Sequence, residues 1–297
     1  MSQEVEVVDF STFHSRLRVP GVLRLDTALR IGAGRSGSTG IDLPVVKDLA
    51  GRPYIPGSSF KGAYRAHLEA LLRAFDPELA CVSVPRPQNG EAPGCLTQSE
   101  VDALKIKYGE DAEGLSRAII EGSCWACRLC GAPWLASKVL VKDLMVQEET
   151  WFGRYVERDG VAIDRDTGTA GEKLLYNFEA VPPGTEFSFE MVVENATEAE
   201  QGLALLGVRE FEEGRLALGG GRSRGLGRVT VFYKELEVSY PGHFEAADDY
   251  DFAHKIYGVA AFPLTDKDGY DFEAGDVLDL PTERAVEYDW GTASLVY

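Results

Sequence analysis

A chain of 297 residues with 44% hydrophobic content can bury one large core or two modest ones, and no low-complexity tract interrupts it. No apolar run reaches bilayer-spanning length, and the start MSQEVEVVDF lacks a basic region followed by a hydrophobic one, so the reading is a cytoplasmic protein without a membrane partner. The net charge of −18 at first argues against nucleic acid, but residues 241–297 hold 13 acids against three bases, which leaves −8 on the first 240 residues and scope for a local basic groove.

In chain order, Arg16 to Leu29 alternates apolar and polar residues and is interrupted at Pro20-Gly21, which predicts a strand bent by a bulge. The glycine-rich loop IGAGRSGSTGID follows, with glycines at 32, 34, 37 and 40, and Asp42 is the only acid between Asp26 and Asp48. An aspartate beside mobile glycines reaches a bound phosphodiester or a metal ion; an Asx-type turn uses the same residue. A second loop, Ile55-Pro56-Gly57-Ser58-Ser59, leads into a helix over 59–75, marked by Phe60, Tyr64, Leu68, Leu71, Leu72 and Phe75 and capped by Ser58 or Ser59. The open N–H groups of its first turn, with Lys61 beside them, suit a phosphate; a capped helix whose lysine faces solvent accounts for the same residues.

Residues from about 76 to 137 form a first insertion, with a helix around Gln98 to Lys107 and all five cysteines of the chain. Five thiols cannot all pair as disulfides, and the cytoplasmic reading implies a reducing compartment, so a structural zinc site is the better account. Cys124-x2-Cys127 supplies two ligands and Cys81 and Cys95 the others, while Cys130, one turn on, is a small core residue or a substitute ligand. A cluster of free thiols is the alternative. Val139 to Val146 reads as a strand, and a second insertion from about 147 to 183 carries the turn-rich RDGVAIDRDTGTAGEK. Thr185 to Glu194 is the next strand, Ala199 to Leu216 a helix and Leu226 to Tyr240 a final strand. Before that strand, Gly219, Gly220, Gly221, Arg222, Arg224 and Arg228 interleave glycine with cations, a composition that lets backbone approach phosphate; a tight turn with solvated arginines is the alternative. This is no Walker loop, because it precedes a strand instead of joining strand to helix. Strand, helix, strand, strand, helix, strand is an α+β order, that of a ferredoxin-like or RNA-recognition-motif core.

The pieces IGAGRSGSTGIDLPVVKD, PYIPGSSFKGAYR, GAPWLASKV, DGVAIDRDTGTA, EAVPPGTEFSF and GGGRSRGLGRV, in this order from about residue 22 to 232, resemble the RAMP superfamily, specifically backbone subunits of type III CRISPR effector complexes. The cysteine insertion resembles the zinc-binding elaboration of some type III-D and III-E relatives. The resemblance implies a modified RNA-recognition-motif domain over 1–240 and an acidic C-terminal extension over 241–297, whose role as solubiliser or docking segment stays open. It implies that Ser58, Ser59, Lys61 and the loop from Gly219 to Arg228 hold guide phosphates. A thumb hairpin around Asp159 to Ala170, with Arg165 among its RNA-binding residues, would splay the target nucleotide. Asp42 matches the aspartate that cuts target RNA, with Mg2+ or another divalent cation. The implied partners are CRISPR RNA, complementary target RNA and other effector subunits or paralogues. A non-catalytic backbone subunit and a standalone precursor-RNA processing ribonuclease remain as alternatives.

Overall fold

The computed structural model describes residues 10, 12–34, 42–82, 95–163, 165–166, 169–233, 235–241 and 257–263. In chain order the elements are β1 (Arg16–Leu25), β2 (Tyr54–Ile55), α1 (Gly57–Phe75), α2 (Gln98–Tyr108), α3 (Ala112–Glu121), α4 (Trp125–Cys130), β3 (Val139–Val141), β4 (Leu144–Met145), β5 (Val156–Ile163), β6 (Ala170–Ala180), β7 (Glu186–Glu194), α5 (Glu198–Glu212), β8 (Val229–Tyr233), β9 (Glu235–Pro241) and β10 (Tyr257–Pro263). Among these residues no helix is long and apolar enough to cross a membrane.

The main sheet is antiparallel in the order β10-β9-β1-β7-β3, with β8 also pairing β1. Alternation decides which face is buried: Leu17, Val19, Leu23 and Leu25 of β1 and Phe187, Phe189, Met191 and Val193 of β7 all lie inside. Helices α1 and α5 cover that face. Phe60, Tyr64, Leu68 and Leu72 recur at helical spacing, and the Phe60 ring meets Phe211 of α5 at 4.4 Å and Phe189 of β7 at 5.1 Å. Burying each such ring contributes about 2–3 kcal/mol. Close approach of the helices depends on Gly207, where a Cβ would stand 2.4 Å from the Tyr64 ring.

The opposite face of the sheet is a charge ladder. Arg16 pairs with Glu194, Arg18 with Glu190 and Glu237, and Lys142 with Glu190, while Arg24 lies 4.6 Å over the Phe232 ring. The Glu190 and Glu237 carboxylates hold the Arg18 guanidinium pKa above its ordinary value.

Several sequence expectations shift. No bulge occurs at Pro20-Gly21, because β1 pairs with β7 in one unbroken register from Arg16↔Glu194 to Arg24↔Glu186. What changes there is the other neighbour: β9 flanks residues 16–18 and β8 flanks 21–25. Pro20, with no N–H to offer, sits at the handover, and Gly21 lets the Phe232 carbonyl approach, since a Cβ would lie 2.4 Å from that oxygen. The segment 139–146 splits into β3 and β4, and 226–240 splits into β8 and all but the last residue of β9. Helix α5 stops at Glu212, and α3 and α4 were not foreseen. The sheet also continues past residue 240 through β10; the acidic stretches 242–256 and 264–297 lie outside the described residues.

Candidate nucleic-acid interface and cysteine centre

Residues 31–33 and 44–46 run antiparallel, tied by Ala33 N–H to the Pro44 carbonyl at 3.0 Å and Val46 N–H to the Ile31 carbonyl at 2.9 Å. The tip between them, 35–41, with Ser36, Gly37, Ser38, Thr39 and Gly40, lies outside the described residues. Asp42 is exposed at the end of the returning strand and is fixed by exchange with Asn177 of β6: its N–H donates to Asn177 Oδ1 at 2.7 Å, and its Oδ2 accepts from the Asn177 N–H at 3.0 Å. The attachment continues down the strand. Glu179 N–H donates to the Leu43 carbonyl at 3.2 Å, and the buried Glu179 carboxylate accepts from Val45 N–H at 3.2 Å and Lys47 Nζ at 2.9 Å. Asp42 therefore sits on the base of the β5–β6 hairpin, a two-stranded sheet of its own. Within that hairpin Gly160 leaves room for the Tyr176 ring, which would come within 2.3 Å of a Cβ there, and Arg165 is exposed in its turn.

The glycine and arginine loop packs beside the same hairpin. Gly219, Gly221, Gly225 and Gly227 all have positive φ, and a Cβ at Gly227 would stand 1.9 Å from the Leu218 carbonyl oxygen, so the loop can close only on glycine. Arg222, Arg224 and Arg228 are exposed around it, and Arg224 Nη1 donates to the Tyr176 hydroxyl at 2.8 Å. The loop rests on Arg30, whose carbonyl accepts from Gly220 N–H at 2.8 Å. Asp42, Arg224 and the hairpin base thus occupy one region although 182 positions of sequence separate the first two.

The first turn of α1 differs from expectation. The helix begins at Gly57 with Pro56 as its N-cap, and neither Ser58 nor Ser59 makes a capping bond. Asp143 takes the place of a local cap, accepting the Gly57 N–H at 2.8 Å, and Gly57 is required because a Cβ would lie 2.3 Å from the Val141 carbonyl oxygen. Lys61 is turned into the protein: its Nζ donates to Ser137 Oγ at 2.6 Å and to the Val139 carbonyl at 2.9 Å, and burial lowers its pKa. It pins α1 to β3 with two of its three N–H groups. Ser58 and Ser59 remain at the surface end of the helix.

Cys81, Cys95, Cys124 and Cys127 converge so that all four sulfurs lie within 4.8 Å of one another. This cluster can hold a metal ion. A tetrahedral zinc with Zn–S near 2.3 Å spaces its sulfurs about 3.8 Å apart, so four gathered thiols match the demand of that ion. Cys81 and Cys127 sulfurs stand 3.5 Å apart, and Cys81 N–H donates to Cys124 Sγ at 3.4 Å. Thiol hydrogen bonds from Cys127, then Cys81 and Cys95, pull Cys124 below the ordinary thiol range. Arg65 of α1 supplies outer support. It donates to Cys127 Sγ at 3.5 Å, to the Gly131 carbonyl at 2.7 Å and to Glu69 Oε1 at 2.7 Å. Cys130 points elsewhere, buried beside Tyr64, Lys61 and Arg65, with burial pushing its thiol up to about 11.

Sequence reasoning missed Asn177, Asp143, Arg65 and Arg30. The first three work across 135, 86 and 62 residues respectively, beyond any local pattern.

The sequence profile of the family described as "RAMP superfamily" matches residues 22–230, more than half of the chain. Three curated relatives carry the name "CRISPR system Cms endoribonuclease Csm3". That of Methanocaldococcus jannaschii is 28% identical over 236 residues, covering 73% of this chain and 79% of its own. The Methanothermobacter thermautotrophicus relative is 26% identical, covering 77% and 89%, and the Enterococcus italicus relative 26%, covering 79% and 98%.

Proposed function

The chain belongs to the RAMP superfamily, and on that footing we propose that it is a backbone subunit of a type III CRISPR effector complex that binds CRISPR RNA and cuts guide-paired target RNA at Asp42. The single observation that carries this reading is the two-bond attachment of Asp42 to Asn177, which sets an exposed carboxylate at the hairpin base beside the arginine-bearing glycine loop. The order β8-β1-β7-β3, backed by α1 and α5, supports a ferredoxin-like core, and β5–β6 supports the thumb. The names borne by the relatives, which describe RNA cleavage, point the same way.

Backbone amides around Gly219 to Gly221, with Arg222, Arg224, Arg228 and Arg165, would take RNA phosphates; Ser58, Ser59 and the remaining Lys61 N–H complete the proposed contact set. The open face of the sheet is paired charge rather than an aromatic stacking platform, which favours the loop side as the RNA surface. In the reaction, the 2′-oxygen forms a bond to the neighbouring phosphorus while the bond to the 5′-oxygen breaks; the 2′-hydroxyl loses its proton and the departing oxygen gains one. The rate of such a step depends chiefly on in-line alignment, which hairpin and aspartate would impose together. Asp42 would hold the hydroxyl, or one face of a divalent cation that offsets charge on the phosphate oxygens. RNA oxygens and water would complete that cation's shell. Zinc at Cys81, Cys95, Cys124 and Cys127 would brace the insertion of the type III-D or III-E kind, in a cytoplasmic complex.

Asp42→Asn and Asp42→Ala, assembled with natural companions and guide RNA, test this. Loss of target cleavage in both, with guide retention unchanged, is expected; undiminished cleavage overturns the role of the carboxylate. The reciprocal Asp42–Asn177 bonds also suit a purely structural clamp, and in that second reading of a non-catalytic backbone subunit only the alanine variant changes behaviour, through a lower melting temperature.

A further inference from the structure

The four clustered sulfurs fasten three helices. Cys81 follows the short turn Pro77–Leu79 that ends α1, Cys95 stands just ahead of Thr97, the N-cap of α2, and Cys124 and Cys127 begin α4. Cys95 and Cys124 therefore bracket the pair α2 and α3 at its entry and exit. The two ends touch, since a Cβ on Gly122 would stand 2.9 Å from Leu96 Cδ2. Beyond that base α2 and α3 pack on each other, with no comparable packing of either helix on another described element. The cluster is thus the main fastening between this helical pair and the body of the protein.

Its sulfurs are unequal. Cys81, Cys124 and Cys127 are 8%, 3% and 3% exposed, whereas Cys95 is half-buried, so an agent from solvent meets Cys95 first. Arginines close the inner side: Arg65 donates to Cys127 Sγ, Arg73 to the Cys81 carbonyl at 2.7 Å and Arg128 to the Ser123 carbonyl at 2.8 Å. Four thiols, all within 4.8 Å of one another, pair without remainder, and a disulfide needs its sulfurs at about 2.05 Å, so closure takes small movements. Of the three possible pairings, the geometry favours the one that joins Cys81 to Cys127, already 3.5 Å apart, which leaves Cys95 with Cys124. Cys130, buried apart from the cluster, stays out of it.

We propose that the cluster is an oxidant-sensitive clasp: hydrogen peroxide enters at Cys95, the thiols close as Cys95–Cys124 and Cys81–Cys127, zinc leaves, and the α2–α3 pair is released as an arm closed on itself. This rests on the zinc reading of the cluster and is independent of RNA cleavage. The Cys95 thiolate attacks a peroxide oxygen, an S–O bond forms as the O–O bond breaks, and the departing hydroxide takes a proton to become water. The Cys124 sulfur then displaces the second oxygen, which leaves as water with another proton, and an S–S bond results. A second peroxide oxidises Cys81 and Cys127 in the same way. Each disulfide gives up two electrons to one peroxide, and its sulfurs cease to be thiolate ligands. One new bond lies at the foot of the arm and the other joins the end of α1 to α4, so neither ties the arm to the body.

The test titrates hydrogen peroxide into the zinc-loaded full chain with a chromogenic zinc chelator, the chelator alone giving the baseline. Loss of about one zinc per chain is expected, complete at about two peroxides per chain. Peptides cut at Glu91 and Trp125, which separate all four cysteines, should carry Cys95–Cys124 and Cys81–Cys127, and dimedone should trap the first sulfenic acid at Cys95. Amide exchange should quicken across α2 and α3 and stay unchanged in α5, and dithiothreitol with zinc should reverse every change. Cys130→Ser should behave as wild type. Either other pairing, a bond to Cys130, no release above baseline, sulfinic acid without disulfide, first trapping at a buried cysteine, or no recovery on reduction overturns the clasp. If the chain holds no zinc when supplied with it, the metal reading falls, while the pairing and the exchange of α2 and α3 still decide whether the thiols form this switch.

Discussion

Asp42 and Asn177 exchange two hydrogen bonds across 135 residues of sequence, main chain to side chain in each direction, at 2.7 and 3.0 Å. Neither bond needs the carboxylate to be charged, so position and charge can be separated by mutation. Asn177→Ala removes the acceptor for the Asp42 N–H and leaves the carboxylate intact. On the role proposed for Asp42, cleavage by the assembled complex should fall by about tenfold to a hundredfold with RNA retention unchanged, because small misplacements of a reacting group act on rate. Single-turnover cleavage at saturating target checks this; equal loss of retention would assign Asn177 to binding instead.

The four-cysteine cluster predicts about one zinc per chain, with chelation lowering the melting temperature because binding energy of a structural metal is folding energy. Serine at Cys81, Cys95, Cys124 or Cys127 should lower zinc content as read by elemental analysis. Serine at Cys130 should leave zinc content unchanged and cost only packing.

Arg65 bridges Cys127, Gly131 and Glu69. Arg65→Met leaves all four thiols in place yet removes the donor to one sulfur and the tie between α1 and the insertion. Competition with a chromogenic chelator should show zinc held about 10- to 100-fold more weakly, the usual scale for outer-shell partners.

Glu210 of α5 accepts from Arg215 and faces His67 of α1 at 2.8 Å, and Arg215, then His67, holds its carboxyl below the ordinary range. A carboxyl whose folded pKa is depressed adds stability above its unfolded value of about 4.3, and that contribution disappears as pH falls through the folded value. Melting temperature should therefore drop more steeply below about pH 4.3 in the wild type than in Glu210→Gln, which starts lower at neutral pH and has less to lose. Parallel pH profiles would show that the ion pair contributes nothing.

Gly227 combines positive φ with a Cβ position occupied by the Leu218 carbonyl. Gly227→Ala should destabilise by more than about 2 kcal/mol and distort the loop that carries Arg222 and Arg224, whereas Gly225→Ala, with open space around it, should cost about 1–2 kcal/mol from the left-handed backbone alone. Urea midpoints distinguish the two.

Much of the scaffold is legible locally. The spacing of Phe60, Tyr64, Leu68 and Leu72 marks α1, and Phe187, Phe189, Met191 and Val193 mark β7, because periodicity reports the buried face directly. The start of α1 was not legible: Ser58 looks like a cap, but Asp143 supplies one from 86 residues away and moves the start to Gly57. Lys61 shows the same limit, since a lysine next to a buried phenylalanine reads as surface until Ser137 and Val139 provide acceptors. The cysteines can be grouped by number and neighbourhood, and in the fold Cys81 and Cys95 converge with Cys124 and Cys127.

On the edge of β1 away from β7, Arg16 to Arg18 have a companion only because β9 returns to them after β8 has finished. A shortened chain ending near Tyr233 would keep its helices but lose the buried Leu236 and Val238 and bare the unpaired amides and carbonyls of β1 along Arg16 to Arg18, and such borders recruit whatever extended peptide is at hand. Fragments clipped there should precipitate or stick to one another rather than unfold, which sets a lower limit on how far the gene product can be trimmed for biochemical work.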